Sequence, residues 1–368
     1  MDMTRRATCL CIWLLLLTGC QPSASKVPIT DETSPDKIAQ IPDEKQVIPF
    51  TLPEAIFDRV VGWLSNQEVL YITRKQQEFQ LHAYNIETGK SRSVLAISDP
   101  ILEVRIHPDL TRIAAVTSSN SLSATIHIFS ITGEKVDELT IESSEMYWDW
   151  NSNQASQIFF SAFYEDWSFD SFVYTGETKE LNRVDTTDPF GKWGHNSIIN
   201  VINWLEADSL KGGTIREIDS ETMNVKDLQG IHTIYKEANK EGDVTVSISD
   251  NQQTFIYTLA NIKEGGTSTF ELPSISNYSQ WSIPEIEWLS DGSLITYEAS
   301  ESGLIDSISS VYKLVRLSRD GNKTLLMEGA YQPFTCAPSG NQCLIGVQLE
   351  EMLMVESGEV IPWIDIKE

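Results

Sequence analysis

Positive charge is what this chain most lacks: 27 Lys and Arg stand against 53 Asp and Glu in 368 residues, a formal net charge of −26. Phosphate backbones are repelled by such a surface, and no basic stripe offsets it, so a nucleic-acid partner is excluded. Histidine is nearly as scarce. His82, His107, His127, His195 and His232 are scattered along the chain, with no metal-ligand spacing among them. Also missing are a Gly-x-Ser-x-Gly elbow, a His-Glu-x-x-His pair and a phosphate-cradling glycine loop. Acidic turns such as Asp185-Thr-Thr-Asp188 lack an EF-hand ladder and read as solvated turns. No metal, cofactor or catalytic residue is therefore assigned, and an enzyme is the less favoured class. Helical patterning is confined to about residues 53–60, which argues against α/β architectures. The apolar run over residues 7–17 is about eleven residues long, too short to span a bilayer.

What that run does carry is a pair of arginines before it, Arg5 and Arg6, and Leu17-Thr18-Gly19-Cys20 at its end. This is the layout of a secretory signal peptide. The apolar–small–glycine–cysteine order resembles the lipobox of bacterial lipoproteins. The resemblance implies that residues 1–19 are removed and that Cys20 carries a diacylglyceryl group, anchoring the protein at the extracytoplasmic face of the cell membrane. Each buried acyl methylene contributes about 0.8 kcal/mol, so two chains would hold an acidic body that does not itself adsorb to an anionic surface. Residues 20–46 hold Pro22, Pro28, Pro35 and Pro42 among polar residues and show no apolar periodicity. They read as a disordered tether with an r.m.s. reach of roughly 30 Å. The folded domain is expected over 47–368. Of the five cysteines only Cys336 and Cys343 fall within it, and outside the cytoplasm they are expected to oxidise if geometry allows.

The body repeats itself. An apolar residue, a short polar turn and a second apolar residue about seven positions on recur as Trp63/Leu70, Ile106/Ile113, Trp150/Ile158, Ile248/Phe255, Trp288/Ile295 and Cys336/Cys343. Each reads as a strand–turn–strand hook. A polar-Gly-polar turn follows many of them, at Gly89, Gly133, Gly176, Gly321 and Gly358, with Ser220-Glu221 as a degenerate member. Hooks fall 43 and 44 residues apart, then 98, then 40 and 48. The long gap holds two units, one of them irregular and hidden between about 189 and 234. Four-stranded units at this spacing predict an all-β chain, a β-propeller of antiparallel blades. The count is seven; a half-blade closed by a strand near 47–52 would reduce it to six.

The hook-and-turn pattern is similar to that of TolB-type propellers. Together with the lipobox and the proline-bearing tether, it resembles the bacillar lipoproteins with a YqgU-like β-propeller domain. That family is described as six-bladed, against a count of seven here. The resemblance implies fold and carries over no activity to particular residues.

The hook positions of Cys336 and Cys343 place them as cross-strand neighbours, within reach of a disulfide. Trp63, Trp150 and Trp288 take hook positions and read as core. The stretches 163–169 and 190–195 mix aromatics with polar groups, a composition that stacks sugars or grips peptides. They make Tyr164, Asp166, Trp167, Phe190, Trp193 and His195 the candidate ligand site. The expected function is non-catalytic binding of a protein or a cell-envelope polymer. The alternative is a hydrolase or lyase acting on glycans or peptides from the central channel.

Overall fold

The structure, a computed structural model, describes residues 47–204, 209–228, 230, 232–261 and 265–367. The signal segment 1–19, Cys20 and the tether to residue 46 lie outside the described residues.

Alternation of apolar and polar side chains builds strands along the whole body. Glu78–Asn85, for example, buries Phe79, Leu81 and Ala83 while its intervening side chains Glu78, Gln80 and His82 stay partly or fully exposed. Among the described residues, helix is confined to two 3-10 turns, Glu54–Ile56 and Ser209–Lys211. The strands form seven four-stranded antiparallel meanders: blade 1 (57–97), blade 2 (101–142), blade 3 (145–184), blade 4 (192–227), blade 5 (233–273), blade 6 (286–330) and blade 7 (334–362). The sheets of blades 4 and 5 are joined by the single strand pairing of Gly213 with Thr233.

The inner strands close into a ring, each bonded to the next. Arg59 donates to Ile101 O (3.1 Å), Arg105 to Trp148 O (3.0 Å), and Trp193 N to Asp149 Oδ2 (2.8 Å). Lys192 pairs with Glu237 (3.9 Å), and Trp288 Nε1 donates to Glu237 (3.2 Å). Cys336 N donates to Glu287 (2.7 Å), and Trp63 Nε1 returns to Thr335 O (3.1 Å). The half-blade closure does not occur. The strand Phe50–Pro53 instead pairs in parallel with Ile364–Lys367, outside every blade. Leu52, Trp363 and Ile364 then cap the core shared by blades 7 and 1.

One hook is displaced. Ile248/Phe255 is the second hairpin of blade 5, not its first. The first is Ala238/Val244, and blade 4 opens on Trp193/Ile199. The seven hook residues then lie 43, 44, 43, 45, 50 and 48 apart. The physical reason is local: Asn251 Oδ1 takes the Gln253 N–H (3.0 Å) in a turn that suits any hairpin, whichever strands it joins.

Apolar clusters fill six of the seven seams between blades. The seam between blades 4 and 5 is polar apart from Trp204. There His195 Nε2 lies 3.6 Å from Asp243, Lys236 pairs with Asp243 (3.1 Å), and the buried Asn200 amide has no hydrogen-bond partner.

Connectors as short as residues 143–144 join each outer strand to the next inner strand, so all inner strands run the same way. One end of the ring, the connector end, holds those connectors and the second-hairpin loops. The hook end holds the hooks and the third-hairpin turns. The chain enters at the hook end, where Ile48 N donates to Ile86 O (2.8 Å) and Tyr84 Oη donates to Ile48 O (2.6 Å).

Candidate functional site

Each hook residue packs against the preceding blade, so alternation turns the residue before it toward the following one. Those seven equivalent positions are Gly62, Arg105, Asp149, Lys192, Glu237, Glu287 and Thr335. They form a polar collar around the ring axis. Lys192 sits between Asp149 (3.4 Å) and Glu237 (3.9 Å). Burial works against its charge, but the two carboxylates outweigh that and hold it protonated well above the usual lysine range. Burial, then the Asp149 charge, pushes Tyr147 up; burial, then Glu237, does the same to Tyr235. Burial lifts Glu287 to about 8, against hydrogen bonds from Cys336 N and Thr335 Oγ1. Glu285, two residues earlier, is raised for the same reason. Sequence reasoning missed this collar, although six of its seven positions are polar side chains directly before a hook residue.

The six proposed site residues do not form one site. Trp193 is the hook tryptophan of blade 4, 1% exposed in the seam with blade 3 and donating Nε1 to Asp149 O (3.0 Å). It is core, because its position repeats that of Trp63, Trp150 and Trp288. His195 stands in the same hook at the hook end, next to Asp243. The other four lie at the connector end. Phe190, in the connector entering blade 4, packs its ring against Tyr147 (5.3 Å) and Phe163 (6.1 Å). Tyr164, Asp166 and Trp167 make the second hairpin loop of blade 3. Tyr164 N bonds to Ser168 O (2.9 Å) and Trp167 N to Tyr164 O (2.9 Å). Asp166 takes the Ser168 N–H (3.0 Å), and its bonds from Ser168 hold its carboxyl below the usual range. Trp167 is 78% exposed at a positive φ of 65°. An open cleft of about 480 Å³ lies alongside, lined by Leu122, Glu142, Ser143, Tyr164, Glu165 and Asp166 among others.

The connector end is also where apolar surface collects. Leu102, Leu122, Tyr164, Trp167, Phe190, Tyr278, Ile305, Val311, Tyr331 and Val347 are all exposed there. At the hook end Ile48 and Met223 are comparably exposed among the described residues, and Val136, Leu181, Val225 and Val360 are exposed where outer strands leave that end. Cys336 and Cys343, opposite each other in the hook of blade 7, are joined as a buried disulfide.

A ring of four-stranded antiparallel meanders around a polar collar defines a β-propeller. The chain belongs to the YqgU-like 6-bladed beta propeller domain family, whose model matches residues 85–346. That span takes in blades 2 to 6 whole and parts of blades 1 and 7, while this chain forms seven blades. The protein is 22% identical over 362 residues to the uncharacterized lipoprotein YqgU of Bacillus subtilis (strain 168), covering 97% of each chain. A crystal structure of an uncharacterized protein from Listeria monocytogenes EGD-e is similar with a TM-score of 0.77 at 19% identity, over 88% of this chain and 98% of that one. The β-propeller domain of the Trilobed protease from Pyrococcus furiosus matches with a TM-score of 0.55 at 12% identity, over 88% and 99%. At these identities the two structures share the fold alone. The name of the Bacillus relative agrees with attachment to a membrane.

Proposed function

We propose that this protein is a lipid-anchored lipoprotein at the extracytoplasmic face of the membrane. Its propeller binds a protein partner or a cell-envelope polymer through the connector end and performs no chemistry of its own. One observation carries the reading: ten exposed apolar side chains, contributed by hairpin loops of four blades, three connectors and the first residues of two strands, gather on one end of the ring. Scattered exposed apolar residues need no explanation, but their segregation to one end marks an interaction surface. The chain enters at the opposite end. The collar adds no competing chemistry, because Asp149, Glu237 and Glu287 each accept bonds from the neighbouring blade. A channel-site hydrolase or lyase is the second reading, favoured by the raised pair Glu285 and Glu287.

The test is site-specific photocrosslinking in intact cells, with the crosslinker at Phe190, Tyr278 or Val347 and, for comparison, at Glu221 or Ser357 on the hook end. One dominant partner captured from the connector end alone, and lost in Cys20→Ala, is the expected result. Equal, diffuse capture from both ends overturns the proposal. Glycan or peptide turnover abolished by Glu285→Gln or Glu287→Gln would move the function to the axis.

A further inference from the structure

We infer that the ring opens at the seam between blades 4 and 5. The hook half of that seam parts and admits water, while its connector end stays latched and acts as the hinge.

The seven seams are built from equivalent positions, and one of them differs at nearly every one. Opposite the hook residue, on the second strand of six blades, stand Val69, Ile113, Ile158, Ile199, Leu294 and Cys343, each 0% exposed. In blade 5 that position is Asp243, whose side chain is 19% exposed. Thr245 and Ser247 continue the same face and are also partly exposed. The hook residue itself is tryptophan, isoleucine or cysteine in the other six blades and only Ala238 here. From blade 4, alternation turns Asn200, Ile202 and Ile215 toward this polar wall. Both isoleucines stay partly exposed and join no apolar cluster among the described residues. Burial of apolar surface is what closes the other seams, so this one lacks most of that drive. Asn200 adds a cost: it is 4% exposed, and neither atom of its amide has a hydrogen-bond partner. A buried unpaired amide opposes closure, and water reaching it on opening removes the penalty.

The bonds across the seam are divided unevenly between its ends. At the connector end, Trp281 Nε1 and Gln252 Nε2 donate to Leu210 O (3.1 and 3.4 Å). His232 Nδ1 donates to Lys211 O (2.8 Å), Ser209 Oγ donates to Ser279 O, and Gly213 pairs with Thr233 alongside. Trp204, the apolar exception, also lies at this end. Toward the hook end the contacts among the described residues are long. His195 Nε2 stands 3.6 Å from Asp243, Lys192 stands 3.9 Å from Glu237, and Ser152 Oγ of blade 3 reaches Ala238 O at 3.4 Å. The seam where the two ends of the body meet is no rival, because Leu52, Trp363 and Ile364 cap its apolar core. Opening between blades 4 and 5 therefore bares Asn200 and gives the collar Lys192 a sideways route to solvent.

Neighbouring residues on one strand provide the test. Asn200 faces this seam, whereas Val201, 1% exposed, faces the apolar seam with blade 3. Asn200→Cys and Val201→Cys, each in the full chain, are treated with N-ethylmaleimide without reductant or denaturant. Mass spectrometry of the labelled peptide separates the new thiol from every other cysteine. Position 200 should label at least about tenfold faster than position 201. Adding Thr245→Val/Ser247→Val, which makes the facing wall apolar, should slow labelling at position 200 about tenfold and leave position 201 unchanged. Thermal unfolding verifies the fold of each variant, and Ala114→Cys, buried between blades 2 and 3, is a second control should Val201→Cys unfold. Labelling of position 200 no faster than the controls would mean that strands fray or the whole chain unfolds, and overturns the inference. A rate at position 200 that the two valines leave unchanged overturns it as well.

Discussion

Glu287 makes the stability of this ring depend on pH in a direction opposite to that of most carboxylates. Its carboxyl is held at about 8 in the folded chain, against 4.5 for an ordinary glutamate. Below the unfolded value the group is protonated in both states and contributes no pH dependence. Between the two values the folded chain holds a proton that the unfolded chain has lost. Stability is therefore lost as pH rises from about 4.5 to about 8 and levels off beyond. At 1.36 kcal/mol per tenfold change in proton activity the full effect is about 5 kcal/mol. Glu287 keeps part of its surface accessible to water, and local relaxation screens the charge, so about 2 kcal/mol is the figure to expect. Glu287→Gln keeps an oxygen for Cys336 N (2.7 Å) and Thr335 Oγ1 (3.2 Å) while removing the ionisation. Urea unfolding of wild type and variant, run from about pH 5 to about pH 8.5, isolates the term by difference. The two should be nearly equal at the acid end, and the variant should be more stable by about 2 kcal/mol at the alkaline end. Parallel curves, with one constant offset at every pH, would refute the reasoning.

Two further predictions concern the collar and the turns. Lys192→Met leaves Asp149 and Glu237 without the cation between them and should destabilise the fold by about 2 kcal/mol; adding Glu237→Gln should restore about half, measured by thermal unfolding. Gly133 has a φ of 93°, and a Cβ there would meet Val94 O at 2.0 Å, whereas Gly321, at 85°, has nothing within 4 Å of its Cβ position. Gly133→Ala should cost about 3 kcal/mol and Gly321→Ala about 1 kcal/mol, again by thermal unfolding; equal costs would remove the steric argument.

Much of the architecture was legible because the propeller repeats its own signals. Trp63, Trp150 and Trp288 are spaced by the blade, and the irregular unit expected between about 189 and 234 is blade 4, at 192–227. The misplaced hook at Ile248 had a different cause: serine and asparagine shape a turn through nearby backbone groups alone and carry no record of strand order. Grouping Trp193 with Phe190 and His195 failed for a related reason. Closeness in sequence across a strand and its hook puts residues at opposite ends of the ring, and burial of Trp193 follows from blade spacing, not from its neighbours. The collar was the reverse case. Its members lie more than forty residues apart, and only the closing of the ring brings them together. Tyr164 and Asp166 were legible as an aromatic–acid pair, but their cleft partners Leu122, Glu142 and Ser143 come from blade 2 and the connector after it, which local composition does not reveal.

The parallel pair formed by Phe50–Pro53 and Ile364–Lys367 gives the ring a mechanical property. Any pull on the N-terminal segment enters the body at Val47, meets the bonds of Ile48 with Ile86 and Tyr84 of blade 1, and then reaches Phe50–Pro53. Four residues of parallel pairing and the Phe50–Trp363 bond (2.8 Å) take the load next. If they yield, every blade still has all four of its strands, because none is borrowed from the clasp. The clasp can therefore open under tension without taking a strand from any blade.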